Sequence, residues 1–262
     1  MLNKLLKYDL KYMLKNMGVF YILSIVAALI ARLFFSLKQT VIISIMAKFS
    51  AGFMFAMVGN ILFNTIIRSL VIFKNYLYKD EAYLTHTLPV TKTQIYESKF
   101  IQTLIFTLVG FIIMFLSIFI TYYTKENFDL LKNIINGVAT NLNINHWLFI
   151  LFVIIIFYIE IIHIIQCMYF GVIIGYRKNS NKAVHSFLTI FITYIISQTF
   201  IVLAVFASAL FNKDILNVFN STVIDVSVLK PVILISTLAY LLVIFIINML
   251  CNRELKKGVN LE

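Results

Sequence analysis

Residues 79–99 read Lys79-Asp-Glu-Ala-Tyr-Leu-Thr-His-Thr-Leu-Pro-Val-Thr-Lys-Thr-Gln-Ile-Tyr-Glu-Ser-Lys99. This polar stretch lies between two long apolar runs, about 51–73 and 100–123. Asp80 and Glu81 place negative charge where a helix N-terminus favours it. Pro89 disfavours helical backbone at Leu88, so a helix opening at 80 must end by there. Thr91-Lys-Thr-Gln94 has the spacing of a capping box, which predicts a new helix running straight into the next apolar run. The stretch therefore reads as a short helix, a hinge and a helix entering an apolar phase.

Working outward, the rest of the chain repeats this alternation of apolar block and polar joint. Of 262 residues, 61% are hydrophobic and 13% charged, where an ordinary soluble domain carries roughly 25% charged residues. The apolar residues come in blocks of about 18 or more, long enough to cross a bilayer as helices. Six such runs are present, at about 18–36, 51–73, 100–123, 147–176, 184–210 and 231–251. The predicted fold class is an all-α membrane protein with six transmembrane helices. The fourth run is long for a simple crossing, so tilt or extension beyond the membrane is expected.

Most of the 22 Lys and Arg residues fall on one side of that layout. Lys4, Lys7, Lys11 and Lys15, then Arg68, Lys74, Lys79, Lys92 and Lys99, then Arg177, Lys178 and Lys182, and finally Arg253, Lys256 and Lys257 share it. Arg32, Lys38, Lys48, Lys125, Lys132, Lys213 and Lys230 lie opposite. By the positive-inside rule both termini face the cytoplasm. The net charge of +11 flanks the spans and forms no continuous stripe, so nucleic acid is not the expected partner. Residues 1–16 are predicted as an amphipathic interfacial helix, with the four lysines reaching lipid phosphates, a reading compatible with a plain positive-inside anchor. Residues 17–262 then form one six-span domain. The joints 124–146 and 211–230 suit either short helices dipping into the outer leaflet or plain loops.

No joint is long enough for a nucleotide-binding domain, and no Gly-x-x-x-x-Gly-Lys-Ser/Thr loop is present. Neither a Gly-x-Ser-x-Gly elbow nor a His-Glu-x-x-His helix occurs, so no catalytic residue is expected. Histidines at 86, 146, 163 and 185 are scattered, and Cys167 and Cys251 fall in apolar runs, so neither a metal centre nor a disulfide framework is predicted. Glu160 is a carboxylate deep in the fourth run, with His163 and Cys167 on the same helical face. A charge at mid-membrane costs at least ~2.5–3.5 kcal/mol, so Glu160 should face protein or water. Two readings stay open: a substrate or ion path lined by Glu160 and His163, or a structural pairing with His163, Arg68 or another span. Arg68 itself sits where it can snorkel to the headgroups. Gly171-Val-Ile-Ile-Gly175 and Ala27/Ala31 are small-x-x-x-small patterns that allow close helix approach, within the chain or between chains.

In layout and in the 79–99 stretch the chain resembles the membrane-spanning permeases of type-2 ATP-binding-cassette exporters of bacteria. The acidic pair, Tyr-Leu, Thr-Leu-Pro and Ser-Lys of 79–99 are similar to what those permeases carry between spans two and three. The resemblance implies that 79–99 is a coupling helix docking on a separate cytoplasmic ATPase. Asp80, Glu81, Tyr83 and Leu84 would form the docking helix, Leu88 and Pro89 the hinge, and Lys92 to Lys99 the link into span three. Arg177–Lys182 would be a smaller second contact. It further implies a second permease chain in a homo- or heterodimer, and ATP and Mg on the partner ATPase with no cofactor in this chain. The location would be the bacterial cell membrane and the cargo a hydrophobic or amphipathic peptide or drug. Two alternatives remain: an ion-coupled secondary carrier using Glu160 and His163, and a peptide-binding immunity or sensor membrane protein.

Overall fold

The computed structural model describes all residues except Met1, Gln39, His86, 212–214, 217–225 and 259–262. Among the described residues the chain is helical, with no strand: α1 Leu2–Ser36, α2 Val41–Tyr78, α3 Asp80–Thr85, α4 Lys92–Tyr122, α5 Lys125–Asn141, α6 His146–Gly175, α7 Lys182–Ala209 and α8 Val226–Lys256. Six of these, α1, α2, α4, α6, α7 and α8, are long and apolar enough to cross a membrane. Each covers one of the six apolar runs to within one residue. α1, α2 and α4 begin well before their runs, because extending an existing helix by polar turns needs no new nucleus.

Between and before these helices the structure adds detail to the expectation. The basic segment 1–16 is not set off by a backbone break, because α1 runs unbroken from Leu2 to Ser36. No proline interrupts it, and Asn16 and Gly18 are absorbed in mid-helix. The 124–146 joint contains a helix, α5, rather than a plain loop. Most of the 211–230 joint lies outside the described residues. Pro231 falls inside α8 rather than at its start. It stands in the second turn, where it forfeits one backbone bond and crowds the carbonyl four residues back.

The chain divides into two compact units, one ending at Phe128 and the other beginning at Asp129. In the first, α1, α2 and α4 pack on one another. Met13, Met17, Tyr21, Ile61, Ile72 and Phe106 form one core cluster, and Ala27, Ala28, Met54 and Val58 another. Ala27, Ala28 and Ala31 are buried, so the small residues of α1 are used inside this unit to bring helices close. Polar bonds join the same helices: Ser24 Oγ to Ser117 Oγ at 2.9 Å, and Tyr21 OH donating to the Phe106 carbonyl at 3.3 Å. Such bonds hold helices together where lipid removes the hydrophobic drive between them.

In the second unit α6, α7 and α8 pack on one another. Gly171 and Gly175 of α6 face α7 directly. A Cβ on Gly171 would stand 2.8 Å from the Ile190 backbone nitrogen, and one on Gly175 would overlap Ser186 Cα, N and Oγ. Of the two uses open to this pattern, the contact is therefore within the chain. Only 17% of the apolar stretch of α7, and the same share of α8, is buried inside the chain, against 33% for α4. The remaining apolar surface is far larger than a water-soluble monomer tolerates.

Candidate functional site

The 79–99 segment begins where α2 ends. The Lys79 N–H donates to the Asn75 carbonyl at 3.3 Å, closing α2, and the Lys79 carbonyl accepts from the Ala82 N–H at 2.7 Å, opening α3. On α3, Ala82 and Thr85 point inward and are buried, while Tyr83 and Leu84 are 58% and 75% exposed. Thr85 Oγ1 donates to the Glu81 carbonyl at 2.7 Å. The helix stops at Thr85, and tight turns carry the chain to Pro89 through Leu88 N to Thr85 O and Val90 N to Leu88 O bonds. Leu88 is 46% exposed and Pro89 is exposed. Tyr83, Leu84 and Leu88 thus stand apolar and outward beside a buried inner edge. Asp80 opens α3, and Glu81 is half-buried at its inner side.

The capping box forms as its spacing requires. Thr91 Oγ1 accepts from the Gln94 N–H at 3.2 Å, and Gln94 Oε1 accepts from the Thr91 N–H at 3.1 Å. Lys92 follows as the first residue of α4, half-buried. Thr91→Ala should lower thermal stability by about 1 kcal/mol and speed amide exchange over the first turn of α4. An unchanged exchange pattern there would contradict the assigned cap.

Directly below, Lys99 is not a solvated loop cation. Its Nζ lies 2.6 Å from Asp9 Oδ1 with both side chains 2% exposed, and Ser98 Oγ donates to Asp9 Oδ2 at 2.6 Å. The Lys99 ammonium also stands 3.2 Å from the centre of the Tyr76 ring. One carboxylate therefore joins α1 to the start of α4, with α2 covering the cation. Lysine, serine and carboxylate leave the pair hydrogen-bonded, which burial demands. This centre escapes a reading along the sequence. The available signal is that Asp9 falls on the same helical stripe as Met13, Met17, Tyr21 and Ser24.

Arg68 lies in the first unit, where its Nε donates to Asn64 Oδ1 at 3.4 Å and its guanidinium sits 5.5 Å from the Phe20 ring centre. In the second unit, His163 is fully buried and pairs with Ser197 of α7, Nε2 to Oγ 2.8 Å. Ser197 Oγ also lies 2.9 Å from the Thr193 and Tyr194 carbonyls, which take its hydrogen. Cys167 Sγ sits 3.4 Å from His163 Nε2, and the rings of Tyr194 and Tyr240 flank the imidazole. Glu160, half-buried one turn earlier, has no hydrogen bond or ion pair among the described residues. The Glu160–His163 pairing is therefore not formed: the imidazole turns to α7 instead. No group of three His, Cys, Asp or Glu that could hold a metal occurs among the described residues.

At the end of α6, Arg177 pairs with Glu254 of α8, and Lys257 Nζ lies 2.5 Å from the same carboxylate. Arg177 is thereby tied into its own unit, while Lys178 is exposed. Comparisons with protein-family models, curated proteins and solved structures returned no match to this chain.

Proposed function

We propose that this chain is the membrane-spanning permease subunit of a bacterial type-2 ATP-binding-cassette exporter. The observation that carries the reading is α3. A short helix between the second and third membrane-competent helices turns Ala82 and Thr85 inward and presents Tyr83 and Leu84 outward, with Leu88 exposed in the turn that follows. Outward apolar side chains on a helix of this kind suit insertion into a groove on another protein. Pro89 and the capped start of α4 give the segment a fixed exit, and the Asp9–Lys99 pair ties that exit to α1.

In this reading the six long helices cross the bacterial cell membrane with both termini cytoplasmic. The lysines of the first turns of α1 lie against lipid phosphates. A separate cytoplasmic ATPase binds ATP and Mg and docks on Asp80, Glu81, Tyr83 and Leu84, with Leu88, Pro89 and Lys92 passing its movement to α4. Two permease chains pair around the path of an apolar or amphipathic peptide or drug. This chain performs no chemistry of its own. The carrier alternative loses support because Glu160 and His163 do not act as one unit, His163 being committed to Ser197.

Leu84 decides the matter cleanly because at 75% exposure its replacement leaves the core alone. The tagged chain, purified in mild detergent, should retain a soluble ATPase in stoichiometric amount. Leu84→Asp should lose it, as should Glu81→Ala combined with Pro89→Ala, with unchanged yield of the chain. A chain that holds no nucleotide-binding partner in either form would end the exporter reading.

A further inference from the structure

A cleft of about 120 Å³ opens between α1, α2 and α3, lined by Tyr12, Asn16, Val71, Arg68, Asn75 and Glu81. That is roughly ten times the ~10–15 Å³ that admits a single water. Its polar groups have capacity to spare. Arg68 uses Nε on Asn64, and its terminal Nη groups have no hydrogen-bond partner among the described residues. The Asn75 side-chain amide and the Glu81 carboxylate likewise have none among the described residues. Arg68 and Glu81 carry opposite charges on one cleft yet form no ion pair with each other. Half-buried charges of opposite sign held apart on one cleft suit a ligand that carries the complement of each.

The order of the groups along the cleft fixes the shape of that partner. Arg68 lies about two helical turns deeper into the apolar run of α2 than Asn75. Glu81 lies beyond the end of α2, on α3. An anionic group is thus wanted at the deeper end and a cationic donor at the outer end. Beside and below Arg68 the surface is apolar: on the face that Val71 brings to the cleft, Ile67 and Phe63, one and two turns deeper than Val71, are 55% and 70% exposed. Phosphate inside, ammonium outside and hydrocarbon beneath is the layout of an aminophospholipid in a leaflet.

We propose that this cleft binds the headgroup of a zwitterionic aminophospholipid, its phosphate on Arg68 and its primary ammonium on Glu81. The guanidinium fork suits phosphate oxygens, and the carboxylate suits an ammonium with N–H donors. Asn75 and Asn16 supply the remaining polar contacts between the two. A quaternary headgroup offers Glu81 no N–H donor, and an anionic headgroup offers it no cation. The site includes Glu81 of α3, so lipid occupancy would tie the placement of α3 to the composition of the membrane.

The test is a titration of the purified full chain, without any ATPase, so its outcome is separate from that of the exporter reading. Dihexanoyl forms of phosphatidylethanolamine, phosphatidylcholine and phosphatidylglycerol are compared below their micelle concentrations by calorimetry. Phosphatidylethanolamine should bind at least about tenfold more tightly than either of the others, as expected for one added charge-assisted bond. Glu81→Gln should bring it down to the phosphatidylcholine level, and Arg68→Gln should weaken all three by about tenfold or more. Equal binding of the three lipids by the unaltered chain, or tightest binding of phosphatidylglycerol, would overturn the proposal. So would soluble glycerophosphoethanolamine binding as tightly as the lipid, which would make the ligand a free zwitterion. The lipid comparison needs no substitution, so it decides even if Arg68→Gln fails to fold.

Discussion

Gly175→Ala is expected to destroy the second unit, with loss of monodisperse protein or a fall in stability of about 4 kcal/mol or more, the range reserved for gross steric faults. The added methyl would coincide with the backbone of Ser186 on α7, not with the flexible end of a side chain. Relief would require the whole of α7 to move, because packed interiors do not yield locally. That movement would also break the His163–Ser197 bond about three turns away and leave a buried imidazole without its partner. Gly18→Ala in α1 provides the contrast. Nothing lies within 4 Å of its Cβ position, so there alanine should be neutral or stabilise by up to about 1 kcal/mol through helix propensity. Thermal unfolding in detergent separates the two. A Gly175→Ala chain that keeps its unfolding temperature and changes only its oligomeric state would show that the glycines serve a contact between chains.

Lys99→Met should be nearly as damaging, by about 3–5 kcal/mol, because it strands the Asp9 carboxylate in an apolar site. Asp9 would lose a 2.6 Å ion pair and keep only the Ser98 hydroxyl. Replacing both partners, Asp9→Leu with Lys99→Met, should recover much of that loss, since a well-packed apolar pair often equals or exceeds a buried ion pair. The double-mutant cycle therefore gives a large coupling energy of defined sign. Additive effects of the two single substitutions would mean the pair is not the joint between α1 and α4. The cost has a spatial signature as well. Release of α1 should raise amide exchange along residues 2–13 before it does so in α2.

These two sites mark the boundary of what the sequence makes legible. The long helices were readable because each is announced by a block of apolar residues that no soluble fold could hide. The 79–99 segment was readable for local reasons: Pro89 restricts Leu88, and Thr91 and Gln94 carry both halves of a cap within four residues. Asp9 and Lys99 are separated by 90 positions and meet only because α1 packs on α4. Counting Lys99 among the charges of a basic joint hid its burial. The stripe of Asp9, Met13, Met17 and Tyr21 held the missing clue, since a carboxylate on a core-facing stripe demands a cation from elsewhere. His163 shows the same limit. Its helical neighbours Glu160 and Cys167 are visible in the sequence, whereas Ser197 on α7 is not. The spacing of Gly171 and Gly175 called for a close neighbour but could not name α7.

The outward face of α3 carries the functional account, and it can be tested in living cells with a photoreactive phenylalanine analogue placed at position 84. A second at Phe63, 70% exposed on α2, serves as the reference for an apolar position within a membrane-competent helix. Irradiation should join position 84, and not position 63, to a soluble protein whose sequence carries a phosphate-binding Gly-x-x-x-x-Gly-Lys-Ser/Thr loop. Adducts at position 84 confined to lipid, or to a protein with no nucleotide-binding site, would contradict the proposal that this chain is a permease driven by a separate ATPase.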